Sequence, residues 1–543
     1  MTDPDPRYLA GDVVVEPLVD RWYAWIQLLT PATAAFHVVD RHLRMMASYV
    51  RSPALHAAAA ADSATRSGPF LDLGGGHVRE VADLLDATQA RAAGQIELVD
   101  TLRALDRMLG ERATGEPLDP WYQCVPEALR GLVELTYDRH HRPDVRVREE
   151  LMYASPLWDT SRQCVRLDRG RTRPFVMSTP RLAVVDDDDD TAVDVAVPFH
   201  APALDALFRA RTEPTDVAAL SARLGLAPSS PATDRFAALF TDTPPTPLGP
   251  PARAAGPPPR GGGRVTYFGH ACLLFEDGDS SVLVDPVIAY DEPGVPPHAG
   301  YADLPPHIDY VLITHAHHDH VVPETLLQIR HRVGTVVVPA NDAGNLVDPS
   351  LRRAIEHLGF DRVIEVRAFE QIPLNSGVVT AVPFVGEHHD LDIATRAGYH
   401  IRMAGRSFLV AADSANVDPP VYARAHALVG DADVVLQGME CIGAPASWVY
   451  GPYFSRPLDR DHDATRRGRA SNSVEAIDLI ERFNADEVYV YAMGAEPWLA
   501  HLLGLDEGGA SAATVESDHF VAECRRRGLV AERLYGHKEL RWP

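Results

Sequence analysis

The stretch that decides the fold reads Tyr310-Val-Leu-Ile-Thr-His315-Ala-His317-His318-Asp319-His320. Its apolar beginning predicts a buried strand, and four potential metal ligands follow it within six residues. Imidazole and carboxylate groups at this density are costly to bury unless a metal ion offsets their desolvation, and they suit zinc, iron and manganese. Because two of these groups can bind one ion while the other two bind a second, the stretch predicts a two-metal site at the end of a strand. The predicted ligands are His315, His317, Asp319 and His320.

Four further short motifs accompany this metal loop (residues 315–320) in a fixed order along the chain. One is a glycine-histidine turn after a predicted strand, and the others place an acidic residue after an apolar segment. They are Gly269-His270, Val284-Asp285-Pro286, Gly386-Glu387-His388 and Ala412-Asp413-Ser414. In this order the motifs closely resemble those of the metallo-β-lactamase superfamily. The resemblance implies an α+β fold, an αββα sandwich that holds its metals at the loop ends.

The resemblance also implies roles for two aspartates. Asp413 is expected to bridge both metal ions, and a carboxylate is chemically apt there because it offsets the repulsion between two close cations. Asp285 is expected to orient the metal loop without binding a metal itself. The third ligand of the first metal falls at Glu387-His388, where the glutamate and the histidine are both candidates.

The late part of the chain departs from the usual superfamily pattern. The strand that normally ends in another histidine reads Val488-Tyr-Val-Tyr-Ala-Met-Gly494 and contains none. Fewer imidazoles and more carboxylates make the site harder and leave an open coordination position. This balance of ligands is more typical of oxygen-activating iron centres than of hydrolytic zinc.

A narrower resemblance covers nearly the whole chain. Six segments carry it together with the long N-terminal region, and the last two are not general features of the superfamily. They are Leu151-Met-Tyr-Ala-Ser, Asp303-Leu-Pro-Pro, residues 324–334 (ETLLQIRHRVG), Pro383-Phe-Val-Gly-Glu-His388, Ala446-Ser-Trp-Val-Tyr-Gly-Pro452 and Val488-Tyr-Val-Tyr-Ala-Met-Gly494. The set is similar to that of the chloramphenicol-pathway β-hydroxylase family.

Members of that family are dinuclear iron oxygenases that hydroxylate the β-carbon of an amino acid, often aromatic, held as a thioester on a nonribosomal peptide synthetase carrier protein. The resemblance implies two iron ions as cofactor, dioxygen as co-substrate and an external electron donor. It implies an aminoacyl carrier protein and a reductase as partners, and a homodimer. The resemblance favours Glu387 over His388 as the third ligand of the first metal. It also makes Glu387 the candidate catalytic residue. Motif by motif, the resemblance implies that one iron is bound by His315, His317 and Glu387. It implies that the other iron is bound by Asp319 and His320, and that Asp413 bridges the two.

Two other functions compete with this interpretation. A dinuclear zinc hydrolase, such as a lactonase or thioesterase, would use a metal-bound hydroxide on the same loop. The missing late histidine and the family-specific C-terminal motifs argue against it. A non-catalytic scaffold without metals is disfavoured by the intact candidate ligands. The cluster Arg466-Arg467-Gly-Arg469 is either a contact for an acidic carrier protein or a solvated surface loop.

Composition limits the class of protein. The chain of 543 residues is 46% hydrophobic and 23% charged, which is ordinary for a folded protein. Its formal net charge of −25 argues against nucleic acid as a partner, because such binding normally needs a basic surface. No apolar run of 18 residues and no signal-peptide layout occur, so we expect no membrane association. Five scattered cysteines favour a cytoplasmic protein.

A stretch rich in proline and glycine divides the chain. Residues 243–263 cannot sustain a helix or a central strand and are predicted to be a linker. Residues 1–242 are predicted to form a mixed α/β N-terminal domain for docking or dimerisation, and residues 264–543 the catalytic domain. At the level of single elements, we predict a helix at residues 18–29, one strand at 265–275 and a solvated loop at the acidic run 186–190.

Overall fold

The computed structural model describes residues 7–169, 173–182, 191–248, 258, 261–292, 295–341, 344–504 and 511–543. The acidic run 186–190 lies outside these residues, as do 249–257 and 259–260 of the predicted linker. Among the described helices, none is both long and apolar enough to cross a membrane.

The N-terminal region mixes strands and helices, which confirms its predicted mixed α/β character. A π-helical turn, Val38–His42, joins the first two helices. The strands are β1 (Tyr8–Leu9), β2 (Val13–Val19), β3 (Trp22–Tyr23), β4 (Val133–Tyr137), β5 (Pro143–Val147), β6 (Gln163–Arg169), β7 (Val193–Ala196) and β8 (Phe240–Thr241). The helices are α1 (Pro31–His37), α2 (Leu43–Arg51), α3 (Pro53–Ala61), α4 (Val78–Arg91), α5 (Ala93–Arg112), α6 (Glu149–Tyr153), α7 (Pro202–Arg209), α8 (Val217–Arg223) and α9 (Pro231–Ala238).

The predicted helix at residues 18–29 is wrong. Asp20 and Arg21 take left-handed conformations, with φ of 47° and 76°, and reverse the chain between β2 and β3. β2 then pairs over its whole length with the distant strand β6, in a four-stranded sheet of order β3-β2-β6-β7. The apolar residues recur at a helical spacing, but pairing with a remote strand overrides that local pattern.

The C-terminal region supplies the metal loop. Its strands are β9 (Gly263–Gly269), β10 (Cys272–Asp277), β11 (Ser281–Val284), β12 (Ile308–Leu312), β13 (Val333–Pro339), β14 (Val363–Val366), β15 (Gln371–Leu374), β16 (Gly377–Val382), β17 (Gly398–Met403), β18 (Arg406–Ala412), β19 (Val434–Gly438), β20 (Glu487–Tyr491), β21 (Val530–Arg533) and β22 (Lys538–Trp542). Its helices are α10 (Pro323–Ile329), α11 (Leu351–His357), α12 (Pro419–Val429), α13 (Ala446–Tyr450), α14 (Arg460–Thr465), α15 (Ser473–Arg482), α16 (Ala500–Leu503) and α17 (Ala512–Arg526).

Two seven-stranded sheets face each other in this region. One has the order β14-β13-β12-β11-β10-β9-β22 and the other the order β15-β16-β17-β18-β19-β20-β21. Their inner faces share a buried core that includes Tyr267, Phe275, Phe408 and Leu436. Residues of α12, α15 and α17 cover the outer face of the second sheet. The predicted αββα sandwich is therefore confirmed.

The single strand predicted at residues 265–275 is in fact two strands. Gly269 and His270 have φ of 108° and 50°, and the chain reverses there between β9 and β10. A Cβ atom on Gly269 would lie 2.8 Å from the ring of Trp498, so both the backbone conformation and this contact require glycine. The reversal places His270 next to the metal loop, 3.1 Å from the carboxylate of Asp319.

Parallel pairing gathers the loops of the site at one edge of the sandwich. β11 pairs in parallel with β12, and β18 pairs in parallel with β19. The C-terminal ends of each pair therefore open in the same direction. The loops that leave these four ends carry Asp285, the metal loop, Asp413 and Glu440.

The N-terminal region packs on the outer face of the first sheet. Val13 and Phe208 belong to the same apolar cluster as Phe268, Leu283 and Leu326. The two regions thus share one continuous core, which ties the N-terminal region to the sheet that carries the metal loop. The division of the chain at residues 242 and 264 stays a prediction.

Candidate metal centre

The metal loop leaves β12 in a conformation that Asp285 fixes. The carboxylate of Asp285 is fully buried and accepts hydrogen bonds from Thr314 N at 2.8 Å and Thr314 Oγ1 at 2.6 Å. It also accepts the Nδ1–H of His320 at 2.8 Å, while Thr314 Oγ1 accepts the Nδ1–H of His315 at 2.9 Å. Both imidazoles therefore present Nε2 to the site. Asp285 has the contacts of the orienting residue that the sequence led us to expect.

The first group of candidate ligands combines His315, His317 and Glu387. One ligand atom of each residue lies within 4.8 Å of the others. His317 Nδ1 is 3.3 Å from Glu387 Oε1, and His317 Nε2 is 3.3 Å from Tyr450 Oη. The tyrosine thereby orients the ring so that Nδ1 faces the glutamate. Tyr450 lies in the motif at residues 446–452, whose role the sequence did not reveal.

A sharp turn decides which residue faces this group. Gly386 and Glu387 have φ of 77° and 63°, and a Cβ atom on Gly386 would lie 2.7 Å from Ala415 Cβ. No candidate ligand group among the described residues includes His388, whose Nδ1 lies 3.0 Å from Glu387 Oε2. The geometry therefore favours Glu387 over His388 as the third ligand of the first metal.

Asp413 lies between the two sides of the site. Its Oδ2 atom is 3.0 Å from His320 Nε2 and 3.7 Å from His315 Nε2. β19 leaves space for it, because a Cβ atom on Gly438 would lie only 2.2 Å from Asp413 Oδ1. A carboxylate between histidines of the two sides is suited to bridge two cations.

His270 joins Asp319 and His320 in a second group, with ligand atoms within 4.8 Å of one another. The backbone N–H of Gly494 donates to His270 Nδ1 at 3.2 Å, so the ring proton lies on Nε2 and is donated to Asp319 Oδ2 at 3.1 Å. His270 therefore orients Asp319. In the sequence, the Gly269-His270 motif indicates only the fold. The supporting role of His270 depends on its contact with Gly494, which follows β20, and no local pattern shows that contact.

Several buried polar atoms in the site have no hydrogen-bond partner within the part of the chain that the structure describes. They are His315 Nε2, His320 Nε2, Glu387 Oε2 and Asp413 Oδ1. Leaving such an atom unsatisfied costs about 1–3 kcal/mol. Bound cations would satisfy these converging atoms, and a set of imidazoles and carboxylates suits iron. The residues present therefore fit a dinuclear iron cofactor.

Burial and charge set the protonation of the imidazoles. Burial, together with the neighbouring histidines, holds the pKa of His315 well below its usual range, and burial lowers the pKa of His317 to about 3. Both rings are thus neutral at pH 7, the form that binds metal. Burial lowers the pKa of His320 as well, but the adjacent carboxylates of Asp413, Asp319 and Asp285 outweigh it and raise that pKa. The acids around His320 favour positive charge in the site.

A cavity of about 300 Å³ opens onto these groups. Both regions of the chain form its walls. The N-terminal region contributes Trp25, His37, Arg41, Ser63, Ser67, Phe175 and Met177. The C-terminal region contributes Glu440, Ile442, Trp448, Val449, Arg467 and Leu503 in addition to candidate ligands. The N-terminal region is therefore part of the site itself.

The arginine cluster at residues 466–469 is only partly available to a partner. Arg466 donates to the carbonyl oxygen of His389 at 2.6 Å and 3.1 Å, and Arg469 pairs with Glu475 at 3.0 Å. Arg467 is exposed and lines the cavity. Arg467 also donates to the carbonyl oxygens of Gly443 at 3.0 Å and Ala464 at 3.2 Å, so all three arginines make internal hydrogen bonds, and Arg467 is the exposed one that a partner could contact.

A buried ionic network joins the N-terminal region to α10, the helix that follows the metal loop. Arg173 Nη1 lies 2.9 Å from Glu324 Oε2 and 3.6 Å from Glu16 Oε1. Arg181 contacts the same Glu16 through two hydrogen bonds of 2.6 Å. All four side chains are at most 12% exposed, so their charges must compensate one another. Glu324 begins the segment at residues 324–334, which the resemblance singled out.

Comparisons with known proteins agree with this architecture. A family model described as the diiron non-heme β-hydroxylase N-terminal domain matches residues 8–244, and a β-lactamase superfamily domain matches residues 264–410. A relative from Streptomyces venezuelae, named 4-amino-L-phenylalanyl-[CmlP-peptidyl-carrier-protein] 3-hydroxylase, is 41% identical over 98% of this chain and 100% of its own length. The chain belongs to the diiron β-hydroxylase family.

The solved structures give the same result for this β-hydroxylase. The crystal structure of CmlA, a diiron β-hydroxylase from Streptomyces venezuelae, superposes with a TM-score of 0.90 at 39% identity, over 99% of each chain. A mutant of CmlA superposes with a TM-score of 0.89 at 39% identity, over 99% of this chain and 100% of its own. The predicted hydroxylase with two iron ions is confirmed over the zinc hydrolase.

Proposed function

We propose that this enzyme hydroxylates the β-carbon of an amino acid held as a thioester on a nonribosomal peptide synthetase carrier protein. One observation carries the proposal. Six nitrogen and oxygen ligands converge beside a cavity, in a chain related over its whole length to a hydroxylase that acts on a carrier-bound aminoacyl group. An aromatic amino acid is the substrate class that we favour, because the relative acts on 4-amino-L-phenylalanyl.

We assign the ligands from the contacts described above. His315, His317 and Glu387 would hold one iron, Asp319 and His320 would hold the other, and Asp413 would serve both. Glu387 also lines the cavity in which the substrate would lie, so it remains the candidate catalytic residue. When bound, the irons would supply the redox chemistry, in which one oxygen atom of dioxygen enters the C–H bond and the other leaves as water, with two electrons from an external donor and two protons.

The protein positions the substrate and excludes water. Trp25, Phe175 and Met177 of the N-terminal region line the cavity together with Trp448 and Val449. Such a wall gives an aromatic side chain an apolar surface and keeps bulk water from the site. Asp319, Glu387 and Asp413 line the cavity and are less exposed than Arg467, so a thioester arm is expected to enter past Arg467.

Partners beyond the carrier protein rest on the family resemblance. Dioxygen is the co-substrate of the proposed reaction, and a reductase would supply the two external electrons that it needs. The homodimer is an expectation that light scattering after size-exclusion chromatography tests directly. A docking or dimerisation role for residues 1–242 belongs to the same proposal. The cytoplasmic location stays a prediction based on the five cysteines, all of which are free.

Metal analysis with an optical spectrum of protein from iron-supplied cells tests the proposal first. We expect two irons per chain and an absorption band that bleaches on reduction and responds to oxygen. The reduced protein should then add one oxygen atom to an aminoacyl carrier protein, seen by mass spectrometry. Two zinc ions, no redox-active band and hydrolysis of the thioester would overturn the proposal in favour of a hydrolase.

A further inference from the structure

Glu440 is an acidic residue of the cavity that the ligand assignment does not use. It follows β19, the strand that lies beside β18 and therefore beside Asp413. Its backbone is fixed, because its carbonyl oxygen accepts the N–H of Ala470 at 2.8 Å. Its side chain is half-buried and lines the same cavity as Asp319, Glu387 and Asp413.

The carboxylate of Glu440 has no hydrogen bond or ion pair with any residue that the structure describes. Other half-buried acids of this region are paired: Glu475 with Arg469 at 3.0 Å, and Glu487 with Arg406. A carboxylate that is partly removed from water needs a cation or donors to offset its desolvation.

The cation that fits is one that arrives with the substrate. Glu440 belongs to none of the candidate ligand groups among the described residues. The carboxylates in those groups are the ones that would bind the two irons. An aminoacyl thioester carries an α-ammonium group only about 2.5 Å from its β-carbon, given ordinary bond lengths and angles. When the β-carbon faces the metals, the ammonium group therefore lies in the same cavity, whose lining includes Glu440 beside the candidate ligands Asp319, Glu387 and Asp413.

We propose that Glu440 binds the α-ammonium group of the carrier-tethered amino acid and thereby presents the β-carbon to the metal centre. This proposal rests on the proposed function. Glu440 is a specificity-determining residue in this scheme, because a thioester without the amine would leave its carboxylate unpaired. The enzyme should therefore discriminate against desamino substrates through binding, by at least about thirtyfold, as expected for loss of one partner of a buried charge pair.

The test compares two thioesters on two proteins. The carrier protein of the Streptomyces venezuelae relative is loaded with L-phenylalanine or with 3-phenylpropanoate, and each is titrated against native enzyme and Glu440→Gln enzyme, both reconstituted with zinc so that binding is measured without turnover. We expect the native enzyme to prefer the aminoacyl carrier and the variant to bind both about equally. The variant should bind the desamino thioester at least as tightly as the native enzyme, because no unpaired carboxylate is then buried beside it.

Two further measurements separate this role from others. With iron, Glu440→Gln should raise KM for the aminoacyl carrier far more than it lowers kcat, and Glu440→Asp should recover part of the loss. Native enzyme that binds both thioesters equally or neither, a variant that has lost its metals, or a variant with altered kcat alone would each overturn the proposal. Failure of the proposed function itself would appear differently, as the absence of hydroxylated product from every aminoacyl carrier tried with the native enzyme.

Discussion

The metal loop and the interface around Glu324 are both buried and charged, but they are built in opposite ways. In the loop, four candidate ligands lie within six residues, so their density is visible in the sequence. At the interface, Glu324 binds Arg173, which lies 151 positions away in the sequence, and no local pattern predicts this ion pair. The loop needs external cations to satisfy its converging ligand atoms, whereas the interface balances its own charges. A local cluster therefore indicates chemistry, and a distributed one holds two regions together.

Replacing His317 with alanine tests the loop and has the largest expected effect. The variant loses a ligand of the first metal, so we expect loss of iron and at least about a thousandfold drop in hydroxylation. Iron content and product yield measure this. His318→Asn is the matched control, since His318 donates to the carbonyl oxygen of Leu502 at 3.0 Å and belongs to no candidate ligand group among the described residues. Two irons in His317→Ala would remove it from the ligand set.

Replacing Glu324 with glutamine tests the interface. Among the described residues, the change leaves Arg173 buried with Glu16, at 3.6 Å, as its acidic partner, so we expect the free energy of unfolding to fall by about 3–5 kcal/mol. Urea denaturation at constant metal loading measures it. Glu356→Gln is the control, because its partner Arg352 is 48% exposed and such pairs contribute at most about 1 kcal/mol. Equal effects of the two substitutions would show that the network does not join the regions.

A second interface carboxylate predicts a dependence on pH. Burial raises the pKa of Glu149 from 4.5 to about 7, although it accepts a hydrogen bond from Ser350 N at 3.1 Å. Between these values the unfolded chain ionises while the folded protein stays protonated, so Glu149 reduces stability as pH rises from about 4.5 to 7.

Glu149→Gln removes this dependence. The stability of the variant relative to the native protein should increase between pH 5 and pH 7.5, by at most about 3 kcal/mol. Urea denaturation curves at both pH values, with metal saturation held constant, provide the measurement. Parallel pH profiles for the two proteins would show that this carboxyl ionises normally in the fold.

The smallest expected effect concerns a residue that supports a ligand. His270→Ala removes the donor that orients Asp319, and loss of such a supporting contact costs about 10- to 100-fold in metal affinity or activity. Competition with a chelator measures iron affinity, and excess iron should restore part of the activity. Unchanged iron affinity would mean that the loop alone positions Asp319.

How far the sequence predicted the molecule follows the same division. The sandwich and the metal loop could be predicted because apolar strands and dense ligands are local patterns. The helix predicted at residues 18–29 was wrong because the pairing of β2 with β6 is decided far away in the chain. The strand predicted at 265–275 missed the turn at Gly269, whose φ of 108° only the folded contacts explain.

The candidate ligands came from motifs, but their surroundings did not. Tyr450, His270 and Glu440 each reach the site from a different part of the chain, and none of them stands beside a candidate ligand in the sequence. A single chain gives no sign that such residues meet. Their roles depend on which strand ends open at the same edge, and that is a property of the sheet order.

The network on α10 has a consequence for recombining enzymes of this kind. A chimera that joins the N-terminal half of one family member to the catalytic half of another, with the junction in residues 243–263, would pair Glu16 and Arg173 of one parent with Glu324 of the other. A mismatch there would leave a charge buried directly behind the metal loop. A chimera that is meant to exchange carrier specificity should therefore take α10 from the same parent as the N-terminal half. The α10 segment would then replace its counterpart within the catalytic domain of the other parent.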